Sequence, residues 1–160
     1  MRTLLFAGFL ILSLAASPAA VVRLAPEFGF PGPGNKLQSV KSLRGQAVVL
    51  LITKTPRNRA FKKQVKYLKK IYEQFAGKQV VFIAALGEGE GPVKSDIPFA
   101  VASNGAAVAA AYGAQDDFNL VIIGKDGNVD YQTNKVCPPE RVRDVIQNSF
   151  VVQESSRKGQ

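Results

Sequence analysis

Polar side chains vanish from the chain between Ala47 and Thr53, where the run AVVLLIT is apolar or β-branched throughout. A strand facing water on one side would alternate, whereas one covered on both faces would not, so this run predicts a fully buried strand. The period then changes. Phe61, Val65, Leu68, Ile71, Tyr72 and Phe75 recur at steps of three and four, which places them on one stripe of a helix. Thr55 followed by Pro56 reads as the helix cap and first helical residue, and Gly77 as the stop.

A second apolar run, Gln79 to Leu86, predicts another buried strand, and the GEGEGP segment after it a glycine-spaced loop. Phe99 to Ala102 is read as a short strand and the alanine-rich Ala106 to Tyr112 as helix. NLVIIGKDGNVDYQ has the form of a hairpin turning over Lys125, Asp126 and Gly127. A last helix follows Pro138 and Pro139, with Val142, Val145, Ile146 and Phe150 on its inner side. Upstream of the first strand the chain is rich in proline and glycine, so residues 20–36 read as an irregular leader with a tight turn at Pro31 to Asn35. Strand, helix, strand, then hairpin and helix imply an α/β domain over 37–150 with a mixed central sheet flanked by helices. The polar residues 151–160 are expected to form a disordered tail.

The opening of the chain has a different pattern. Arg2 is the single charge among the first twenty residues, an apolar run extends from Leu4 to Leu14, and the small residues AASPAA follow. This is the layout of a signal peptide, with Ser17 and Ala19 suited to cleavage before Ala20. The run is short for a membrane span of ~20 residues. The expectation is therefore a signal segment over 1–19 and an exported protein, periplasmic or secreted. No cysteine follows the run to take a lipid anchor.

Composition narrows the chemistry. There is no histidine, which removes Ser-His-Asp and Cys-His catalysis and imidazole metal ligation. Cys137 is the only cysteine, so no disulfide can form within the chain, and an exported lone thiol is either free or paired with a partner. The net charge of +9 favours anionic neighbours.

Three stretches carry a family resemblance. APEFGFPGPGNKLQSVKSLRGQAVVLL, IPFAVASNGAAVAAAYGA and NLVIIGKDGNVDY stand in order between Ala25 and Phe150. Together they resemble the thioredoxin-fold redoxins, above all the alkyl hydroperoxide reductase/thiol-specific antioxidant family of peroxiredoxins and its thiol–disulfide oxidoreductase relatives. The resemblance implies a thioredoxin-like fold. It also implies a peroxidatic cysteine three residues after a threonine, in the first turn of the helix after the core strand. Thr55 matches that threonine, but Asn58 stands where the cysteine belongs, and Leu51 replaces the motif's proline. Aligned instead on a C-x-x-C pair, the two cysteines become Asn58 and Phe61. The relatives' cis-proline or arginine before the hairpin strand corresponds to Phe118. An amide cannot attack a peroxide or a disulfide sulfur, because the attacking species is a thiolate.

The vacated position, Thr55, Asn58, Phe61 and Phe118, is thus expected to serve binding or assembly rather than redox turnover. The partner would be an unidentified protein or an anionic ligand. Thr55, Arg57, Asn58 and Arg59 surround a helix N-terminus and are a candidate anion site. Lys62, Lys63, Lys66, Lys69 and Lys70 line the outer face of the same helix, so a basic-surface binder of envelope polyanions or membrane is an alternative. Nucleic acid is disfavoured, since Tyr67 alone stands among the lysines and base stacking needs more. A second alternative is a thiol-dependent antioxidant or disulfide-exchange protein working through Cys137, which lies beside Lys135 just ahead of a helix, a placement that lowers a thiol pKa. Packing as a small hydrophobe is the commoner role for such a cysteine. No cofactor is expected, nor a metal, since the glycine spacing of Glu88 and Glu90 suits a bare loop better than calcium.

Overall fold

The structure, a computed structural model, describes residues 23–75, 80–88 and 93–158, and only the backbone of 151–158. The signal segment, Gly77 and Glu90 lie outside these residues. The sheet is organised around β3 (Ala47–Thr53), in which every residue is buried, as its unbroken apolar run requires. β4 (Val80–Leu86) runs parallel to it on one side, and β6 (Phe118–Ile123) antiparallel on the other. The short β5 (Ala100–Val101) and β7 (Val129–Thr133) complete a five-stranded mixed sheet in the order β5-β4-β3-β6-β7.

Because side chains alternate across a strand, β3 feeds two cores. Ala47, Val49 and Leu51 face α1 (Arg59–Phe75) and α3 (Pro139–Lys158), where they join Phe61, Leu68, Ile71, Phe75, Val142 and Ile146. Val48, Leu50 and Ile52 face α2 (Gly105–Ala111) and the N-terminal segment, with Phe30, Leu43, Val108 and Tyr112. At the start of α2 a side chain would collide with the Leu86 backbone, so only glycine lets the helix approach β4 so closely at Gly105. Gly127, with φ of +84°, makes the turn between β6 and β7.

Two expectations about the chain ends are corrected. The leader is not irregular throughout, because β1 (Gly29–Pro31) and β2 (Leu37–Ser39) pair as an antiparallel hairpin. A 3-10 turn, Pro33–Asn35, joins them, and Phe30 is buried in the second core. The leader is also tied to the domain. The Tyr112 hydroxyl donates to the Pro26 carbonyl at 3.0 Å, and the Arg23 guanidinium donates to the Gln132 side-chain oxygen at 3.0 Å. At the other end, α3 continues to Lys158 through the segment read as a disordered tail.

Candidate functional site

β3 ends at Thr53, and the chain turns through Pro56 before α1 starts at Arg59. Thr55 does not cap the helix. Its hydroxyl accepts from the Arg57 amide at 3.3 Å and its carbonyl from the Asn58 amide at 3.1 Å, which closes a turn. Asn58 is the cap, because its side-chain oxygen accepts from the Phe61 amide at 3.1 Å and its carbonyl from the Lys62 amide at 3.1 Å. Helix entry is therefore later than the Thr-Pro pair suggests, and the residue at the nucleophile's position satisfies one of the helix's orphan amides.

The opposite wall comes from the start of β6. Thr53 pairs with Phe118, and the Thr53 hydroxyl donates to the Asp117 carbonyl at 2.8 Å. The Asn58 amide nitrogen reaches that same carbonyl at 3.4 Å, and Lys54 and Asp117 form an exposed ion pair at 3.1 Å. The structure thus brings Thr55, Asn58, Phe61 and the Asp117–Phe118 step together. It does not make Phe118 a docking side chain. Phe118 is 3% exposed and belongs to the α1–α3 core, so the face is formed by Pro56, Arg57, Asn58 and Arg59 without it. No peptide bond among the described residues is cis.

The candidate anion site is correspondingly reduced. The oxygens of Thr55 and Asn58 are occupied by the Arg57 and Phe61 amides of their own chain. Arg57 and Arg59 remain exposed, and neither forms an ion pair with a described carboxylate.

Along α1, Lys62, Lys63, Lys66, Lys69 and Lys70 are all exposed. Lys69 pairs with Asp96 and holds that carboxyl below its ordinary value through a hydrogen bond and its charge. The ammonium groups of Lys63 and Lys70 each lie over the Tyr67 ring, 5.7 Å from its centre. Both lysines thus compete for an aromatic surface that a nucleobase would need. Glu88 is exposed, and no cluster of three metal-ligating side chains occurs among the described residues.

Cys137 is only 3% exposed, in the same α1–α3 core as Phe61 and Phe118. Burial is the main cause that pushes its thiol above the ordinary value, outweighing a hydrogen bond with Tyr131 and the charge of Arg141. The expectation of a lowered pKa is corrected, because desolvation of the thiolate exceeds these favourable contributions. Sequence reading missed the contact that fixes this residue. Gln64, fully buried, accepts from the Cys137 amide at 2.7 Å and donates to the Cys137 carbonyl at 3.1 Å. Its position midway between Phe61 and Leu68 on the apolar stripe was the available signal, because a polar residue there must be satisfied internally.

No family model matches the chain, and no curated protein does. Solved structures do match. A candidate thiol:disulfide interchange protein DsbE from Chlorobium tepidum aligns over 80% of this chain and 96% of its own, at 15% identity and a TM-score of 0.66. A candidate protein disulfide isomerase from Bacteroides thetaiotaomicron aligns over 86% and 92%, at 19% identity and a TM-score of 0.63. Plasmodium yoelii thioredoxin peroxidase I aligns over 87% and 94%, at 15% identity and a TM-score of 0.62. The fold is thioredoxin-like. At these identities the likeness concerns architecture, and the activities in those names belong to those proteins.

Two outcomes test this geometry. Gln64→Leu strands the amide and carbonyl of Cys137 in the core, so denaturant unfolding should show a loss of about 2–6 kcal/mol, from ~1–3 kcal/mol for each of the two stranded groups; an unchanged midpoint would refute the bidentate link. The second is pH. Burial raises both Cys137 and Tyr112 above their ordinary values of 9.0 and 10.0. The native state then keeps protons that the unfolded chain releases, so this stability is complete below pH 9 and declines as pH rises further. Unfolding midpoints should fall above that pH, and less steeply in Cys137→Ala, whereas an equal slope in both proteins would contradict the assignment to the thiol.

Proposed function

We propose that this protein is an exported, non-catalytic binding or assembly module that uses the face around Pro56, Arg57, Asn58 and Arg59. The observation that carries the reading is the Asn58 cap, since the side chain in the nucleophile's place is an amide committed to the Phe61 N–H at 3.1 Å. A thiolate there would be activated by the helix N-terminus. The amide is too weak a nucleophile to attack a peroxide or a disulfide, because its nitrogen pair is delocalised and its oxygen accepts the Phe61 N–H. The chain's one thiol is buried in the core rather than exposed beside this position. That burial counts against both the thiol-dependent alternative and an intermolecular disulfide at Cys137, because an incoming sulfur would have to open the α1–α3 core. Export rests on the signal-like opening. No helix among the described residues is long and apolar enough to cross a membrane.

The five exposed lysines of α1 favour a second reading, binding to an anionic surface. Steep weakening of binding with added salt distinguishes it from recognition at the vacated face.

The test of the main reading is turnover. Protein beginning at Ala20 is given hydrogen peroxide or a disulfide substrate with dithiothreitol as reductant, beside Cys137→Ser. Both proteins are expected to match the buffer blank. Turnover in the wild type that the serine variant lacks would overturn the non-catalytic reading and make Cys137 a nucleophile.

A further inference from the structure

Beside the vacated position lies a surface pocket of about 390 Å³ between the first turns of α1 and the segment before β5. It is lined by the apolar side chains of Pro56, Phe61, Val65 and Val93 and by three cations, Arg57, Lys62 and Lys94. Among the described residues no carboxylate lines it. All three cations are exposed, and none forms an ion pair with a described carboxylate, in contrast to the neighbouring Lys69 with its partner Asp96.

We propose that this pocket binds a small amphiphilic monocarboxylate, with its apolar chain on Phe61, Val65 and Val93 and its carboxylate between Arg57, Lys62 and Lys94. The inference rests on the binding-module reading and gives that face a ligand. Three features select this class. Three lining cations with no carboxylate beside them among the described residues favour an anion, and an arginine can hold both carboxylate oxygens at once. The apolar part of the lining disfavours a fully hydrated anion such as sulfate or free phosphate, which would lose water there without gaining contacts. The volume lies near the small end of the ~300–1,000 Å³ typical of ligand pockets, suited to one short apolar chain. An extended peptide is less well matched. Among the described residues the walls are side chains of the turn into α1, of α1 itself and of the Val93–Lys94 segment, none of them a strand edge for a peptide backbone to pair with.

The test titrates octanoate into the isotope-labelled protein and follows amide chemical shifts, with octylamine, butyrate and the peptide N-acetyl-Leu-Glu-Phe-amide as comparisons. Octanoate is expected to shift Val65, Val93 and Lys94 saturably, to bind at least about tenfold more tightly than butyrate, and to be unmatched by octylamine. Arg57→Glu/Lys94→Glu should weaken it by about tenfold or more, a change of ~1.4 kcal/mol or above. The control Lys66→Glu/Lys70→Glu, on the same helix but outside the pocket, should bind as the wild type does. Since every altered side chain is exposed, the shift pattern of each variant also reports that it is folded. Equal weakening in both variants would reduce the effect to general charge attraction and overturn the pocket. Tighter binding of the peptide than of octanoate would overturn the small-molecule class, and absence of saturable shifts would overturn the site. None of these failures touches the non-catalytic reading, which the turnover assay decides alone.

Discussion

β3 has to be hidden from water on both faces, and the rest of the domain is arranged to hide it. Its apolar side chains alternate into two cores, so helices must cover both sides of the sheet. Its backbone pairs with β4 and β6, which fixes where both neighbours end. As a result the C-terminal end of β3 and the beginning of β6 meet at the Thr53–Phe118 pair. The turn into α1 leaves from that point, and the Asp117 carbonyl receives hydrogen bonds from both Thr53 and Asn58.

In a redoxin the junction holds a thiol whose ionised form gains from the helix dipole, an arrangement suited to reactivity more than to stability. Here an amide in the same place hydrogen-bonds the helix, so the local requirement of α1 and the identity of residue 58 agree. On the opposite wall Phe118 fills core space, and Gln64 holds the Cys137 backbone amide and carbonyl beneath α1. The Thr53 hydroxyl and the Thr55 and Asn58 side chains are committed to the protein's own backbone, and Lys54 pairs with Asp117, which leaves the side chains of Arg57, Arg59, Lys62 and Lys94 as the outward chemistry of the described residues here.

The fold was legible where hydrophobic period and burial coincide. The runs at 47–53 and 118–123 are buried strands, and the stripe from Phe61 to Phe75 is the inner face of α1. The leader hairpin was hidden because proline and glycine mark a turn without telling whether its flanks pair, and the burial of Phe30 depends on contacts distant in sequence. The helix cap was misplaced by three residues because Thr55 and Asn58 are both good cap residues, and the deciding Phe61 amide bond is a matter of backbone path. The burial of Cys137 and Phe118 is not legible in the sequence. A cysteine ahead of a helix can be activated or buried, and which occurs depends on how α3 packs against α1. The pocket beside α1 could not be read at all, since Val93 and Lys94 reach it from a separate loop.

The central claim is that position 58 now serves the helix rather than a reaction. Equilibrium denaturant unfolding of the wild type and Asn58→Ala, with Asn58→Ser as an alternative cap, tests it most directly. The account predicts that alanine lowers stability by about 1 kcal/mol and that serine restores most of the loss. A stability that is unchanged or raised in the alanine variant would contradict it, since that is the behaviour of a residue kept for function at the expense of the fold.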